Sequence, residues 1–304
     1  LSFIHATAQN EIVTADDNRI LGWADSCQLN RGHINMTDTS TAFASFGAGT
    51  DGYGPADGQI VSLGDHGQAV LTFSQGITNG PGIDFAVFEN AIYSPPGQDS
   101  MLFAELAFVE VSSDGEHYVR FPAVSQTDNS SQLNSFEPMD YRNVYNLAGA
   151  TASFSGCGFD LADVKDSINI DTDHITHIRL IDVGGNINPE FASYDSEGNI
   201  INDPWPTEYA SCGFDLDAIA VIHNSTGTEV QHQKALTIFP NPVLSVLHIE
   251  GIRTDTRYRI YSSLGRLIKS GKTRHKTIYV SDLPEGIYTI RFNNPVSKSI
   301  KFTR

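Results

Sequence analysis

The sequence predicts an all-β protein with a jelly-roll-like β-sandwich followed by a small immunoglobulin-like β-sandwich. Segments rich in β-branched and aromatic residues recur at 68–73, 83–89, 106–112, 118–121, 177–183 and 216–222. Only 161–168 has even a weakly helical pattern. Shorter alternating segments separated by Gly, Pro and Asn follow after residue 236. Short β-rich segments between turn residues are typical of antiparallel sandwiches.

Charge divides the chain into two parts. Residues 234–304 contain 13 Lys and Arg but only 4 Asp and Glu, a net charge of +9. The preceding residues contain 6 basic and 32 acidic side chains, a net charge of −26. So sharp a division predicts two separate units. We therefore expect a first domain at 9–228, a polar linker at 229–235 and a second domain at 236–304, with no nucleic-acid partner for the acidic domain.

The second domain contains four short motifs in a fixed order. They are Pro240-Asn-Pro242, Gly265-Arg266, Leu283-Pro-Glu-Gly-Ile-Tyr288 and the basic end Lys301–Arg304. This order resembles the type A C-terminal sorting domain of Bacteroidetes type IX secretion cargo. The resemblance implies that residues 236–304 engage the type IX secretion machinery, and that the protein works outside the cell or on the outer-membrane surface.

The N-terminal residues are compatible with export. Residues 1–8 end in an Ala-x-Ala pattern, which predicts the remnant of a signal peptide. An ordinary N-terminal tail is the alternative. No other stretch approaches the roughly 20 apolar residues that a membrane-spanning helix needs.

The first domain carries several motifs of its own, including Val61–Asp65, Ile77–Asn90, Phe103–Gly115 and Gly213–Ile219. Together they resemble a family of exported bacterial cell-surface proteins. The resemblance implies a galactose-binding-like sandwich but no particular activity. A family-level association also implies nutrient capture with an outer-membrane TonB-dependent transporter, with a corrinoid as a candidate nutrient.

An acidic loop at 195–203 predicts a metal site. Its oxygen-bearing side chains alternate around a Gly turn, as in the first half of an EF-hand loop, and Ca²⁺ prefers such oxygen ligands. Two further carboxylates come from strand segments. The predicted Ca²⁺ ligands are Asp195, Glu197, Asn199, Asp203, Asp182 and Asp84. Turns stabilised by carboxylate–amide hydrogen bonds are the alternative.

Aromatic side chains near this loop predict a ligand-binding surface. Rigid exposed aromatic rings suit sugars and other flat ligands. The predicted ligand-binding residues are Tyr194, Trp205, Tyr209 and Tyr53, the last from a Gly-rich loop. The alternative is that Trp205 fills the open end of the sandwich.

Three cysteines complete the candidate residues. Cys157 and Cys212 both precede Gly-Phe-Asp-Leu, and an oxidising export route would let them join, so we expect a disulfide between them. Cys27 would be left over. No close Cys and His cluster indicates zinc.

Motifs typical of enzymes are missing. The sequence contains no nucleophile elbow, no His-Glu-x-x-His and no dinucleotide fingerprint. We therefore expect a non-catalytic, calcium-stabilised protein that binds a glycan or another extracellular ligand. A carbohydrate-active enzyme with two carboxylates is the alternative from another class.

Overall fold

The computed structural model describes residues 10–93, 101–151, 155–224, 237–250, 256–263, 265–274, 276–292 and 299–304. The chain divides into two compact units, Leu1–Thr228 and Glu229–Arg304. The expected signal-peptide remnant at 1–8 and the expected linker at 229–235 lie outside the described residues. Within the described ranges, no helix has the length and apolar character needed to cross a membrane.

The first unit consists of short strands joined by turns. Its strands are β1 (Ile12–Thr14), β2 (Gly22–Trp23), β3 (Ser26–Asn30), β4 (Val61–Ser62), β5 (Gln68–Ile77), β6 (Phe85–Glu89), β7 (Ile92–Tyr93), β8 (Met101–Phe103), β9 (Ala107–Ser112), β10 (Val119–Arg120), β11 (Val124–Ser125), β12 (Met139–Asp140), β13 (Val144–Tyr145), β14 (Leu147–Ala148), β15 (Ser155–Phe159), β16 (Ile175–Asp182) and β17 (Asp215–Val221). Helical residues in the described ranges are limited to the 3₁₀ turns Gly49–Asp51, Tyr141–Asn143 and Leu161–Asp163. The predicted all-β class is confirmed.

Two six-stranded antiparallel sheets form the body of this unit. The first has the order β1-β15-β6-β17-β2, with β4 also paired to β17, and the second has the order β10-β9-β16-β5-β3, with β14 also paired to β9. Smaller sheets of β11-β13 and β12-β8-β7 accompany them. Consecutive side chains of a strand point to opposite faces of its sheet. Each large sheet can therefore turn alternate residues toward a shared core.

Side chains from both large sheets meet in one buried core. The first sheet contributes Phe85, Val87 and Ile219, and the second contributes Val109 and Leu180. All five are essentially inaccessible to solvent. Burying such side chains gives about 1.5–3 kcal/mol each, which makes this interface the main stabilising feature of the unit.

The second unit is a smaller sandwich. Its strands are β18 (Thr237–Phe239), β19 (Val246–Glu250), β20 (Arg257–Ser262), β21 (Leu267–Lys272), β22 (Thr277–Tyr279), β23 (Ile287–Phe292) and β24 (Ser299–Thr303). They form the sheets β18-β19-β22 and β21-β20-β23-β24. A core of its own, with Leu247, Ile260, Ile278 and Ile290 near its centre, fills the space between them.

Candidate functional site

Six buried carboxylates lie at one end of the first sandwich. We call this group the acid cluster: Asp65, Glu89, Glu105, Asp182, Asp203 and Asp215. Their exposed fractions range from 2% for Asp182 to 8% for Asp215. Buried charged groups are rare in proteins unless a partner compensates them. The cluster is therefore the most unusual chemical feature of this unit.

Strand geometry explains how three of these acids reach the interior. Glu89 ends β6 and follows the inward-facing Phe85 and Val87, while Asp182 ends β16 and follows Leu180. Glu105 stands two residues before Ala107, the first inward-facing residue of β9. Because strand side chains alternate, each acid continues the core-facing row of its strand.

Strand pairing brings these acids to the same end. Glu89 lies opposite Leu216 at the start of β17, next to Asp215, and Asp182 lies opposite Ala107 at the start of β9. Asp65 and Asp203 come from loops. Each sheet therefore places carboxylates where its inward-facing apolar residues end.

Backbone amides hold several of the carboxylates in place. Asp182 accepts the amides of His66 at 2.9 Å, Gly184 at 2.9 Å and Phe214 at 2.7 Å. Glu105 accepts the amide of Gly213 at 3.1 Å. Gly213 has a φ of +68°, and a Cβ there would lie 2.8 Å from an Asp182 oxygen, so this turn requires glycine.

The other members of the cluster have fewer donors. Asp203 accepts the Leu106 amide at 2.6 Å, and the Asp215 carboxylate accepts the Ser62 hydroxyl. Glu89 accepts the amides of residues 90 and 91 through one oxygen. Its Oε2 is fully buried and has no hydrogen-bond partner. This atom is an unsatisfied acceptor inside the protein.

Burial and mutual repulsion disfavour the charged forms. Desolvation raises the pKa of Asp182 to about 7, and the negative charge of Asp65 adds to the shift. Desolvation also raises the pKa of Asp215 to about 6. The pKa of Glu105 lies well above its usual range because of burial, followed by repulsion from the neighbouring acids Asp215, Asp203, Asp182 and Glu89.

The predicted Ca²⁺ ligands do not come together as one group. Asp182 and Asp203 belong to the acid cluster. The charge of Asp182 helps to raise the pKa of Asp203, and both charges help to raise the pKa of Glu105. Asp84 precedes β6 at the opposite end from Glu89, and its carboxylate accepts the amides of Gly80 and Leu161 and contacts His223. Among the described residues, no three His, Cys, Asp or Glu side chains form a ready-made metal site.

The acidic loop itself is a tight turn. The Asp195 carboxylate accepts the backbone amides of Ser125, Glu197 and Asn199 and the Asn199 side-chain amide, at 2.8–3.0 Å. Burial alone would raise the pKa of Asp195, but these hydrogen bonds outweigh it and lower the pKa. Glu197 and Asn199 are exposed. The loop is thus a turn stabilised by carboxylate–amide hydrogen bonds, which was the alternative to a Ca²⁺ site.

Three aromatic side chains near the acid cluster contact one another in turn. Phe136 is 66% exposed and Tyr209 is 54% exposed, with their ring centres 5.7 Å apart. Phe103, half-buried at the end of β8, has its ring centre 5.6 Å from that of Phe136. We call Phe103, Phe136 and Tyr209 the aromatic platform. Of the predicted ligand-binding residues, it contains only Tyr209.

The other predicted aromatic residues have different positions. Trp205 is half-buried and donates its indole N–H to Asp65 at 3.2 Å, which links the platform loop to the acid cluster. Tyr194 is 44% exposed in the Asp195 turn. Tyr53 packs against the hydrophobic core. No sequence pattern indicated Phe136, which lies between the polar residues Ser135 and Glu137.

Two amide side chains, the half-buried Gln132 and the buried Asn202, connect the platform loops by hydrogen bonds. Gln132 donates to the carbonyls of Gly185 and Asp203 at 3.1 Å each. Asn202 donates to the carbonyls of Asp128 and Ser131 at 2.6 and 2.7 Å. The loops on either side of the platform are therefore cross-linked by hydrogen bonds before any ligand arrives.

The predicted disulfide is absent, because all three cysteines are free. Cys157 lies in β15, and Cys212 lies three residues before the start of β17. Strand β6 separates β15 from β17 in the sheet. Two strand spacings place their backbones about 9–10 Å apart, whereas the Cα atoms of a disulfide are less than about 7 Å apart. The repeated sequence motif thus leads to the same sheet but not to adjacent strands.

Comparison with known proteins identifies the C-terminal unit. Residues 237–302 match the family described as secretion system C-terminal sorting domain. This match confirms the predicted sorting domain. No curated protein matches the chain.

Two solved structures are weakly similar. One is PorZ, a surface component of the type IX secretion system of Porphyromonas gingivalis, with 11% identity over 88% of this chain and a TM-score of 0.21. The other is the BSP domain of a biofilm-associated protein, with 12% identity over 78% of this chain and a TM-score of 0.20. The aligned parts are 41% and 48% of those chains. TM-scores this low support no inference about this chain. The sorting-domain match supports a secreted or cell-surface protein carried by the type IX secretion system.

Proposed function

We propose that the first unit is a non-catalytic glycan-binding module that works outside the cell. The aromatic platform is the observation that carries this proposal. Isolated exposed apolar side chains are common on proteins, but here three rings are in contact, two of them exposed. Aromatic rings offer a large apolar face at low conformational cost, and a sugar ring has a complementary flat apolar face.

The rigidity of the platform supports binding. The hydrogen bonds of Gln132 and Asn202 hold its loops in place without a ligand. A preformed surface loses less conformational entropy on binding than a mobile loop does. Polar side chains are also present beside the platform. Glu208, which precedes Tyr209 in the sequence, accepts the Asn35 side-chain amide at 2.6 Å. Such groups can orient sugar hydroxyls.

Binding of the full chain to a glycan array, followed by calorimetry on the best glycan, tests this proposal. We expect the double variant F136A/Y209A to weaken binding at least tenfold, because it removes two rings of the platform. The control is I168A, which truncates a side chain that is 85% exposed outside the platform. Equal binding by the platform variant, or no glycan bound at all, would contradict the proposal.

The same glycan separates binding from catalysis. A binding module returns it intact, which mass spectrometry of the incubated glycan would show. Cleavage would instead favour the carbohydrate-active enzyme. Capture of a nutrient for an outer-membrane transporter stays a prediction from family resemblance.

A further inference from the structure

We propose that the acid cluster binds Ca²⁺ between the two sheets, with Glu89, Glu105, Asp203 and Asp215 as carboxylate ligands. This site differs from the acidic loop at 195–199, and it is separate from the aromatic platform. Two observations support it: Glu89 Oε2 is buried without a hydrogen-bond partner, and no basic side chain in the described residues of the unit contacts the cluster.

The Glu89 Oε2 atom is the main observation that indicates a ligand. It is buried without a hydrogen-bond partner, and the Glu89 carboxylate is close enough to Asp203 and Asp215 to feel their charges. An unsatisfied buried acceptor is costly, and an unpaired buried charge is costlier still. A cation beside Oε2 would remove both costs.

The basic side chains of the first unit are engaged elsewhere. All six lie in the described residues. Arg120 and Arg179 pair with Glu110, Arg19 pairs with Glu11 and Asp17, and Arg142 pairs with Asp140. Arg31 donates to the carbonyls of Phe46, Gly47 and Ser62, and Lys165 is exposed. None of these contacts reaches a carboxylate of the acid cluster.

Histidine does not fill this role either. The His66 imidazole, whose charge favours the ionised form of Asp65, is exposed to solvent. The charge that balances the buried acids must therefore come from solution, as protons or as a metal ion.

The chemistry of the donors favours Ca²⁺. All the cluster side chains carry oxygen ligands, which hard cations prefer over nitrogen or sulfur. Cys212 is the nearby thiol, but burial raises its pKa to about 12, and it donates toward the carbonyl of His33. A protonated thiol directed at a carbonyl is a poor metal ligand, so the available ligands are carboxylate oxygens.

Backbone amides would act as outer contacts of this site. The Gly213 amide orients Glu105, and the Leu106 amide orients Asp203. Each carboxylate oxygen has two lone pairs, so an oxygen that accepts an amide can still bind an ion. Because the acids do not form a ready-made site, binding requires their side chains to rotate toward the ion.

Calcium would join segments that are distant in the sequence. Glu89 ends β6, Glu105 precedes β9, and Asp215 begins β17. Asp203 lies in the loop that continues to Trp205 and Tyr209. The ion would therefore fasten one end of the sandwich and the loop that carries part of the aromatic platform.

Thermal melting and calorimetry of the chelator-treated full chain test the site. We expect Ca²⁺ to raise the melting temperature, because a ligand that binds only the folded state stabilises it. The variant E89Q removes the charge with little change of shape. It should melt no lower than the wild type in chelator, and should bind Ca²⁺ at least tenfold more weakly. E105Q provides a second variant with the same expected loss of affinity.

The matched control is D195N, in the acidic loop. It should keep the wild-type affinity for Ca²⁺. Loss of binding in D195N with full binding in E89Q and E105Q would overturn the proposal in favour of the loop. No Ca²⁺ binding by the wild type in calorimetry would also overturn it. Neither result depends on glycan binding.

Terbium provides a readout of position. Tb³⁺ replaces Ca²⁺ at oxygen sites, and a nearby indole sensitises its emission. Trp205 contacts Asp65 of the cluster, so the wild type should show sensitised emission that competes with Ca²⁺. W205F should lose most of this emission. Unchanged emission in W205F would place the ion away from the cluster and overturn the proposal.

Discussion

The Asp195 turn and the acid cluster present the same functional group in two different environments. In the turn, one carboxylate accepts four amide hydrogen bonds, and its pKa is lowered. In the cluster, each of the six carboxylates accepts between one and three hydrogen bonds, and the pKa values of its members are raised. A dense run of acids in the sequence is therefore not where negative charge is least compensated in the folded protein. Compensation depends on donors that the fold supplies.

Within the cluster, Asp182 has the most complete set of amide contacts, so its removal should have the largest effect. D182A leaves the buried amides of His66, Gly184 and Phe214 without their acceptor. We expect a loss of about 3–5 kcal/mol in the free energy of unfolding. Urea denaturation measures it, with the exposed Asp166→Ala as a control that should change stability by less than about 0.5 kcal/mol. A loss as small as the control's would show that these amides find other partners.

A pH series in chelator tests whether protons neutralise the cluster when no cation is present. Burial raises the pKa of Asp182 to about 7 and that of Asp215 to about 6. A carboxyl with a raised pKa binds its proton more tightly in the folded state. Its stabilising contribution is therefore complete below the unfolded pKa, near 4, and is lost as pH rises through the folded pKa.

We expect the free energy of unfolding in chelator to fall by on the order of 2–4 kcal/mol between pH 4.5 and 8. The acids Asp65, Glu89, Glu105 and Asp203 contribute in the same direction, since their pKa values are also raised. Chemical denaturation at each pH measures this change. Stability that rises over this interval would show that the buried acids do not control it.

The smallest of these effects should come from the Asp195 turn. D195A removes the acceptor of three backbone amides, but Glu197 and Asn199 are exposed, so water replaces much of what is lost. We expect destabilisation of about 1–2 kcal/mol, since the amide of Ser125 is the buried donor left without a partner. Urea denaturation checks this value. A loss equal to that of D182A would remove the distinction between the two regions.

Sequence patterns located most of the longer strands of the first unit, but they located neither its short strands nor the site. The segment 83–89 became β6, and 216–222 became β17 within one or two residues. Asp84, a predicted Ca²⁺ ligand, lies at the other end of β6 from Glu89. The inward-facing row that ends at Glu89 was a readable signal for a buried acid. It could not reveal which other carboxylates would meet it.

The disulfide illustrates the same limit. Two identical Cys-Gly-Phe-Asp-Leu stretches predicted neighbouring turns, and both do lead into one sheet. The order of strands in a sheet depends on long-range pairing, and β6 lies between the two. Local repetition carries no information about that order.

By itself, the sequence determined the all-β class, the sorting domain and the charge contrast between the two parts of the chain. These properties depend on local periodicity, on motifs in order and on composition, which are present before folding. Only the tertiary structure decided that Asp65, Glu89, Glu105, Asp182, Asp203 and Asp215 share one buried end of the sandwich. The physical reason is that burial of these carboxylates, and the repulsion between them, arise from pairing between strands that are distant in the sequence. In the unfolded state the same acids would be far apart and hydrated.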